Sequence, residues 1–130
     1  MRAEIRELLT PDIDSDTFVP DDPDRFCFLV QMLAGPAGDE GEESFQFEVC
    51  TPGWLSERIE RDGPINGRHY VIVNNFHWPT LQNYFERLVT RIWGDNWREI
   101  ATELSRYGGW EFEDYTAAAS GPTEPPERDR

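Results

Sequence analysis

The order of apolar and polar residues changes its period several times along the chain, and each change marks a predicted element. Residues 2–9 indicate a short strand, although the same stretch also fits a helix. Residues 25–34 are apolar on both faces, which predicts a central strand buried on both sides. Residues 43–50 alternate in polarity, with the aromatic and Val side chains inward. The Gly-rich residues 35–42 between these two strands predict an antiparallel hairpin with a long loop.

A helix is predicted to begin directly after the second strand of this hairpin. Thr51 has the side chain of an N-cap, and Pro52 suits the first helical position because its missing N–H would be unpaired there. Helical spacing of apolar residues continues to about residue 61. The apolar residues of this helix that are expected to face the sheet are Trp54, Leu55 and Ile59.

Two further helices and a fourth strand are predicted toward the C-terminus. Residues 68–76 are rich in β-branched and aromatic side chains, which is typical of a strand. Apolar residues recur at helical spacing over residues 78–93 and again over 97–104. Residues 110–115 alternate and are predicted to be extended. Together these elements predict an α+β fold, an antiparallel sheet of about four strands with three helices packed mainly on one face.

We predict one domain and one short tail. The chain has 130 residues, which suits a single domain over residues 1–115. Residues 116–130 are small, polar, acidic and Pro-rich, and are predicted to be disordered. No apolar run approaches the roughly 20 residues of a membrane span, and the N-terminus has no signal-peptide pattern. The expected location is therefore the cytoplasm, without membrane contact.

The acidic residues of the chain are concentrated in three segments. The net charge is −14, with 26 acids against 12 arginines and no lysine. Residues 10–24, 39–48 and 111–114 hold six, five and three acids without an arginine, which together make up the whole excess. A field of one sign repels nucleic acid and anionic membranes, and it attracts basic partners. We therefore predict no nucleic-acid binding.

Metal-binding and cofactor templates do not fit the sequence. The alternation of Asp12, Asp14 and Asp16 is that of a calcium loop. Thr17 and Pro23, however, stand where such a loop needs its Gly and its closing Glu. The two histidines match no metal-binding spacing, and no phosphate-binding glycine motif is present. No metal and no cofactor are predicted.

Cys50 is the strongest enzymatic candidate, because a helix N-terminus follows it and lowers the pKa of a nearby thiol. The sequence places no base beside it, and alternation puts it on the face opposite the aromatic core, so a packing corner is favoured. Cys27 and Cys50 form no CxxC motif and are expected to be reduced. For Glu111, Glu113 and Asp114, which lie among aromatic residues, an anionic contact surface is favoured over acid–base chemistry.

Four stretches together look familiar: residues 20–57, above all the string from the Gly-rich hairpin through VCTPGWL, GRHYVIV at 67–73, the helix around Trp97, and GGWEFEDY at 108–115. Together they resemble the immunity protein 8 family of bacterial polymorphic toxin systems. The resemblance covers about residues 1–115. It implies a small non-enzymatic α+β protein that is made beside a secreted or contact-delivered toxin and binds the toxic domain. The family pairs with more than one toxin type, so the resemblance names no particular toxin.

We therefore predict an immunity protein that neutralises a cognate toxin domain through an acidic surface, the toxin being basic, such as a nuclease. One alternative is an acidic nucleic-acid mimic or regulatory adaptor that binds several basic proteins. Another is a small enzyme that uses Cys50 or the C-terminal carboxylates. Charge alone selects the predicted toxin-binding residues, which are Asp39, Glu40, Glu42 and Glu43 in the hairpin loop and Glu111, Glu113 and Asp114 in a second patch.

Overall fold

The computed structural model describes residues 1–111 of the chain. Within them, the elements in chain order are β1 (Ala3–Leu9), β2 (Cys27–Pro36), β3 (Glu43–Cys50), α1 (Pro52–Asp62), β4 (Tyr70–Ile72), α2 (Trp78–Thr90), α3 (Trp97–Leu104) and β5 (Gly109–Trp110). The predicted tail, residues 116–130, lies outside the described residues, as does most of the segment predicted to be extended. The limits of the domain and its tail therefore stay predictions.

The sheet confirms the predicted α+β class and differs from the prediction in one connection. Its strand order is β1-β2-β3-β4, with β5 also paired to β3. β2 lies between two antiparallel neighbours, as a central strand should. α1 connects β3 to β4, and these two strands run parallel. Because α1 carries the chain back to the end of the sheet where β3 begins, β4 runs in the same direction as β3 and not antiparallel to it. β4 also has only three residues instead of the nine predicted.

One face of the sheet supports the hydrophobic core. α2 and α3 cover this face, so the helices lie mainly on one side, as predicted. The ring of Phe47 meets that of Phe85 in α2 with centroids 4.9 Å apart, and Phe45 lies 6.5 Å from Trp97 in α3. The buried apolar residues that the two central strands direct to this face are Phe28, Val30, Met32, Ala34, Phe45, Phe47 and Val49.

The opposite face of the sheet is less covered than the sequence predicted for β2. Leu29 and Leu33 on this face are half-buried, so the prediction of burial on both sides is wrong. α1 lies at one end of the face, where Trp54 approaches Tyr70 with ring centroids 6.2 Å apart. No residue of α1 is buried, and Ile59 is 45% exposed, so the expectation that Ile59 faces the sheet is also wrong. Because α1 contacts the short β4 at the sheet edge, it leaves the centre of the face open.

The junction between β3 and α1 is a packed corner. Thr51 is the N-cap and Pro52 is the first helical residue, as predicted. The Thr51 hydroxyl accepts hydrogen bonds from the backbone N–H groups of Trp54 and Phe26, both at 3.3 Å. It donates to the carbonyl oxygen of Asp24 at 2.7 Å. One hydroxyl therefore ties α1 to the segment that enters β2.

Replacing Thr51 by Ala is expected to lower the free energy of unfolding by about 1–2 kcal/mol, because a helix cap is lost and the buried Phe26 N–H loses its acceptor. Urea unfolding followed by circular dichroism measures the change. Thr51→Ser keeps the hydroxyl and is the matched control. A Ser variant as unstable as the Ala variant would show that the methyl group stabilises the corner, and would contradict the role given to the hydroxyl.

Candidate functional site

The loop between β2 and β3, residues 37–42, is the clearest candidate for partner contact, and we call it the acidic loop. All six of its residues are exposed. Its acids are Asp39, Glu40 and Glu42, and none of their carboxylates forms an ion pair with any residue in the range 1–111. These negative charges therefore remain available to a cation on another molecule.

Arg6 of β1 holds the acidic loop in one conformation. Its guanidinium donates hydrogen bonds to the carbonyl oxygens of Pro36, Asp39 and Gly41 at 3.0, 2.6 and 3.1 Å. The other terminal nitrogen pairs with the carboxylate of Glu4. The Arg6 side chain is 20% exposed, and its hydrogen bond to Pro36 is partly buried while those to Asp39 and Gly41 lie at the surface. The loop is thus ordered by a cation beneath it, while its own acidic side chains point to solvent.

A β-bulge places Arg6 under the loop. The register between β1 and β2 shifts between Ile5, which pairs with Ala34, and Glu7, which pairs with Leu33. Arg6 is the extra residue and is left out of the pairing. Arg6 was not among the residues predicted from the sequence. The sequence nevertheless holds a signal, because Ile5 and Leu8 are three residues apart and would lie on opposite faces of a regular strand, yet both pack against the core.

Gly35 allows the acidic loop to fold back over β2. A Cβ atom at this position would lie 2.0 Å from the carbonyl oxygen of Gly41 and 2.9 Å from the Arg6 guanidinium. Gly38 and Gly41 have φ angles of 77° and 99°, a backbone region in which glycine carries no steric cost. The glycines that the sequence suggested as loop residues therefore define the shape of the loop.

The structure brings Glu43 of the first predicted acidic patch close to Glu111 of the second. β5 pairs with the start of β3, so Glu111 lies beside Ser44 and accepts a hydrogen bond from its backbone N–H at 2.6 Å. Glu43 accepts from the indole N–H of Trp110 at 2.7 Å. These two carboxylates therefore also fix β5 to the sheet, a structural role that charge alone did not indicate. Glu113 and Asp114 lie outside the described residues.

The Asp-rich segment, residues 10–24, lies at another part of the surface and packs against the core. Phe18 inserts among aromatic rings, with centroids 4.9 Å from Phe76 and 5.6 Å from Phe28. The Asp14 carboxylate accepts a hydrogen bond from the backbone N–H of Asp16 at 2.9 Å, as in an Asx turn. In residues 1–111 no group of three or more His, Cys, Asp or Glu side chains is arranged to hold a metal ion.

Cys27 and Cys50 face each other across β2 and β3. They are direct partners in the register, Cys50 being fully buried and Cys27 half-buried. A hydrogen bond between the two thiols raises the pKa of Cys27, and burial and the nearby Glu48 carboxylate raise it further. The same hydrogen bond lowers the pKa of Cys50. A catalytic thiolate must reach its substrate, so the full burial of Cys50 fits the packing corner better than a nucleophile.

Both thiols are expected to react at least about tenfold more slowly with a water-soluble alkylating reagent in the folded chain than in denaturant, because reaction requires local opening. Iodoacetamide labelling followed by mass spectrometry measures the two rates separately. Labelling of Cys50 in the folded chain at the rate of the unfolded chain would contradict its burial and revive the enzymatic alternative.

Comparison with protein families places this α+β domain in the class of immunity proteins. The model of one such family, immunity protein 8, matches residues 3–115. The chain therefore belongs to the immunity protein 8 family. Neither a search of curated proteins nor a search of solved structures finds a match to the chain.

Membership of the family assigns the broad function. The family is one of immunity proteins against bacterial toxins, so the partner is a cognate toxin, and such proteins are generally non-catalytic. None of the helices in residues 1–111 has the length and apolar character needed to cross a membrane.

Proposed function

We propose that this chain acts in the cytoplasm, where it neutralises its cognate toxin domain by binding it without catalysis, and that the acidic loop is a principal contact. The observation that carries the proposal is the conformation of the loop in a member of the immunity protein 8 family. Three exposed carboxylates form no ion pair within residues 1–111, while the backbone beneath them is fixed by Arg6. A contact surface ordered in advance loses little conformational entropy on binding, which favours affinity.

The charge of this surface indicates the chemistry of the partner. Glu111 extends the acidic loop along the edge of the sheet, and Glu113 and Asp114 continue the acidic run in the sequence. A basic toxin surface, such as that of a nuclease, would complement these charges. Complementary charges raise association rates up to about 10⁸–10⁹ M⁻¹s⁻¹ at low salt. Fast association suits a protein that must capture a toxin before it acts.

Co-expression with the neighbouring toxin domain tests the proposal. The C-terminal domain of the large protein encoded beside this chain's gene is expressed with and without the chain, and growth is scored. Calorimetry on the purified pair at low and moderate salt then gives the affinity and stoichiometry. Rescue of growth together with tight one-to-one binding is expected.

An unrelated basic nuclease domain is the control partner in the same calorimetric experiment. The immunity proposal predicts no tight complex with it at moderate salt. Comparable binding to the neighbouring toxin and to the unrelated nuclease would instead favour the acidic adaptor or nucleic-acid mimic. Failure of the chain to protect against a toxic neighbouring domain would reject the proposed function.

A further inference from the structure

The sheet has a second surface that the acidic loop borders, and we call it the open face. It is the side of β1, β2 and β3 that points away from α2 and α3. Its central apolar residues are Leu29 and Leu33 of β2, with Leu9 on the neighbouring strand β1. All three are half-buried, and none belongs to the core or packs against it. In the described part of the chain, α1 is the helix nearest to this face, and its aromatic contact is at Tyr70.

Acidic side chains flank these leucines on both neighbouring strands. The register places Glu7 of β1 directly beside Leu33, and Glu48 of β3 directly beside Leu29. Both carboxylates are exposed. Arg6 is the single basic residue in the three strands, and its charge is already engaged by Glu4 and the loop carbonyls. Gln31 lies between the two leucines of β2 on the same face, and its amide donates a hydrogen bond to the Ser44 hydroxyl at 2.8 Å. The open face is therefore an apolar strip, interrupted by one hydrogen-bonded amide, with a negative margin.

The size of the face indicates that it works together with the acidic loop. The open face spans three strands, spaced about 4.8 Å apart, and about five residues along each strand, with a rise of about 3.3 Å per residue. These dimensions give it an area of roughly 200 Å². A stable protein–protein interface buries about 800 Å² on each partner, so the face alone is too small. The acidic loop is the direct continuation of β2 and β3 at one end of the strip. The two surfaces together form one larger, contiguous contact area.

We propose that the open face is the apolar centre of the toxin-binding interface and that the acidic loop is part of its polar margin, an inference that rests on the proposed function. Protein interfaces commonly have a desolvated apolar core within a polar rim. The matching toxin surface presents apolar side chains surrounded by Arg or Lys. A second copy of this chain does not fit, because a symmetric pairing would bring the acidic margins of both copies together.

The leucines and the loop acids are expected to affect different rate constants. Charges at the margin act mainly on association, while desolvated central contacts act mainly on dissociation. The test variant is the double replacement Leu29→Thr and Leu33→Thr, since β-branched Thr suits a strand but removes apolar contact. With the full chain and the neighbouring toxin domain, we expect dissociation at least about tenfold faster, with association within about twofold of the unaltered chain.

The control is the replacement Tyr107→Thr. This side chain is 38% exposed, follows α3 and lies near Tyr84 of α2, so apolar surface is lost on the opposite side of the sheet. Circular dichroism and thermal melting verify that both variants fold. The control is expected to bind like the unaltered chain, and an equal loss of affinity in the leucine variant and the control would overturn the assignment to the open face.

Two outcomes separate this inference from the proposed function. If the unaltered chain binds the toxin domain and the leucine variant binds equally well, the open face is not the interface while the proposed function stands. If the unaltered chain does not bind at all, both fail. If the leucine variant does not fold, hydroxyl-radical footprinting of the unaltered complex decides. Oxidation of Leu29 and Leu33 should fall in the complex, and unchanged oxidation would overturn the inference.

Discussion

Replacing Glu40 and Glu42 by Lys is expected to slow association with the toxin domain by about tenfold to a hundredfold at low salt, because these exposed carboxylates attract a basic partner before contact. Neither side chain makes a hydrogen bond or ion pair with other residues in the described part of the chain, so the exchange should leave the fold intact. Stopped-flow or surface-based kinetics at two salt concentrations measures the rate. The difference between variant and unaltered chain should shrink as salt rises.

The Asp-rich segment provides a control with the same change in net charge. Asp12→Lys together with Asp16→Lys reverses two exposed carboxylates away from the acidic loop. If the loop is the contact, this control keeps an association rate within about threefold of the unaltered chain at the higher salt concentration, about 0.1 M, where charges beyond a Debye length of about 10 Å are largely screened. Equal slowing by both pairs would mean that total charge, not the loop, steers the toxin.

The sequence predicted the elements whose signals are local. Thr51 and Pro52 mark the start of α1 because capping depends on the residues at the helix end themselves. The alternation of β3 identified its buried face for the same reason, since the aromatic side chains there contact α2 and α3. A predicted strand over residues 68–76 shrank to β4 because pairing with β3 stops where the chain turns toward α2. Strand length and direction depend on neighbours that a sequence pattern does not contain.

The candidate site was predictable in its charges but not in its construction. Asp39, Glu40 and Glu42 stand out in the sequence because no arginine lies near them in the chain. Their ordering depends on Arg6, which is more than thirty residues away and reaches the loop only through the bulge in β1. The same limit applies to Glu111, whose contact with Ser44 exists only once β5 pairs with β3.

Replacing Arg6 by Ala is expected to weaken toxin binding by about tenfold to thirtyfold, because the carbonyls of Pro36, Asp39 and Gly41 lose their shared donor and the loop must then be ordered during binding. The direction of the change in affinity distinguishes two explanations of how the acidic loop acts, attraction by its charge alone and binding through its ordered conformation. Removing a cation makes the chain more negative, so attraction of a basic toxin by charge alone would leave binding unchanged or tighten it. Weaker binding from a more negative chain can arise only if loop order contributes to affinity.

Two variants make this comparison specific to the position of the guanidinium. Arg98→Ala removes the same charge from an exposed site on α3 and should leave the dissociation constant within about twofold. Arg6→Lys keeps the charge but lacks the planar donor fork, so it should restore binding only in part. Calorimetry gives the affinities, and amide hydrogen exchange over residues 37–42 reports loop order directly. Faster exchange in the Ala variant without loss of affinity would show that the toxin does not depend on a preformed loop, and an unchanged exchange rate would show that Arg6 does not hold it.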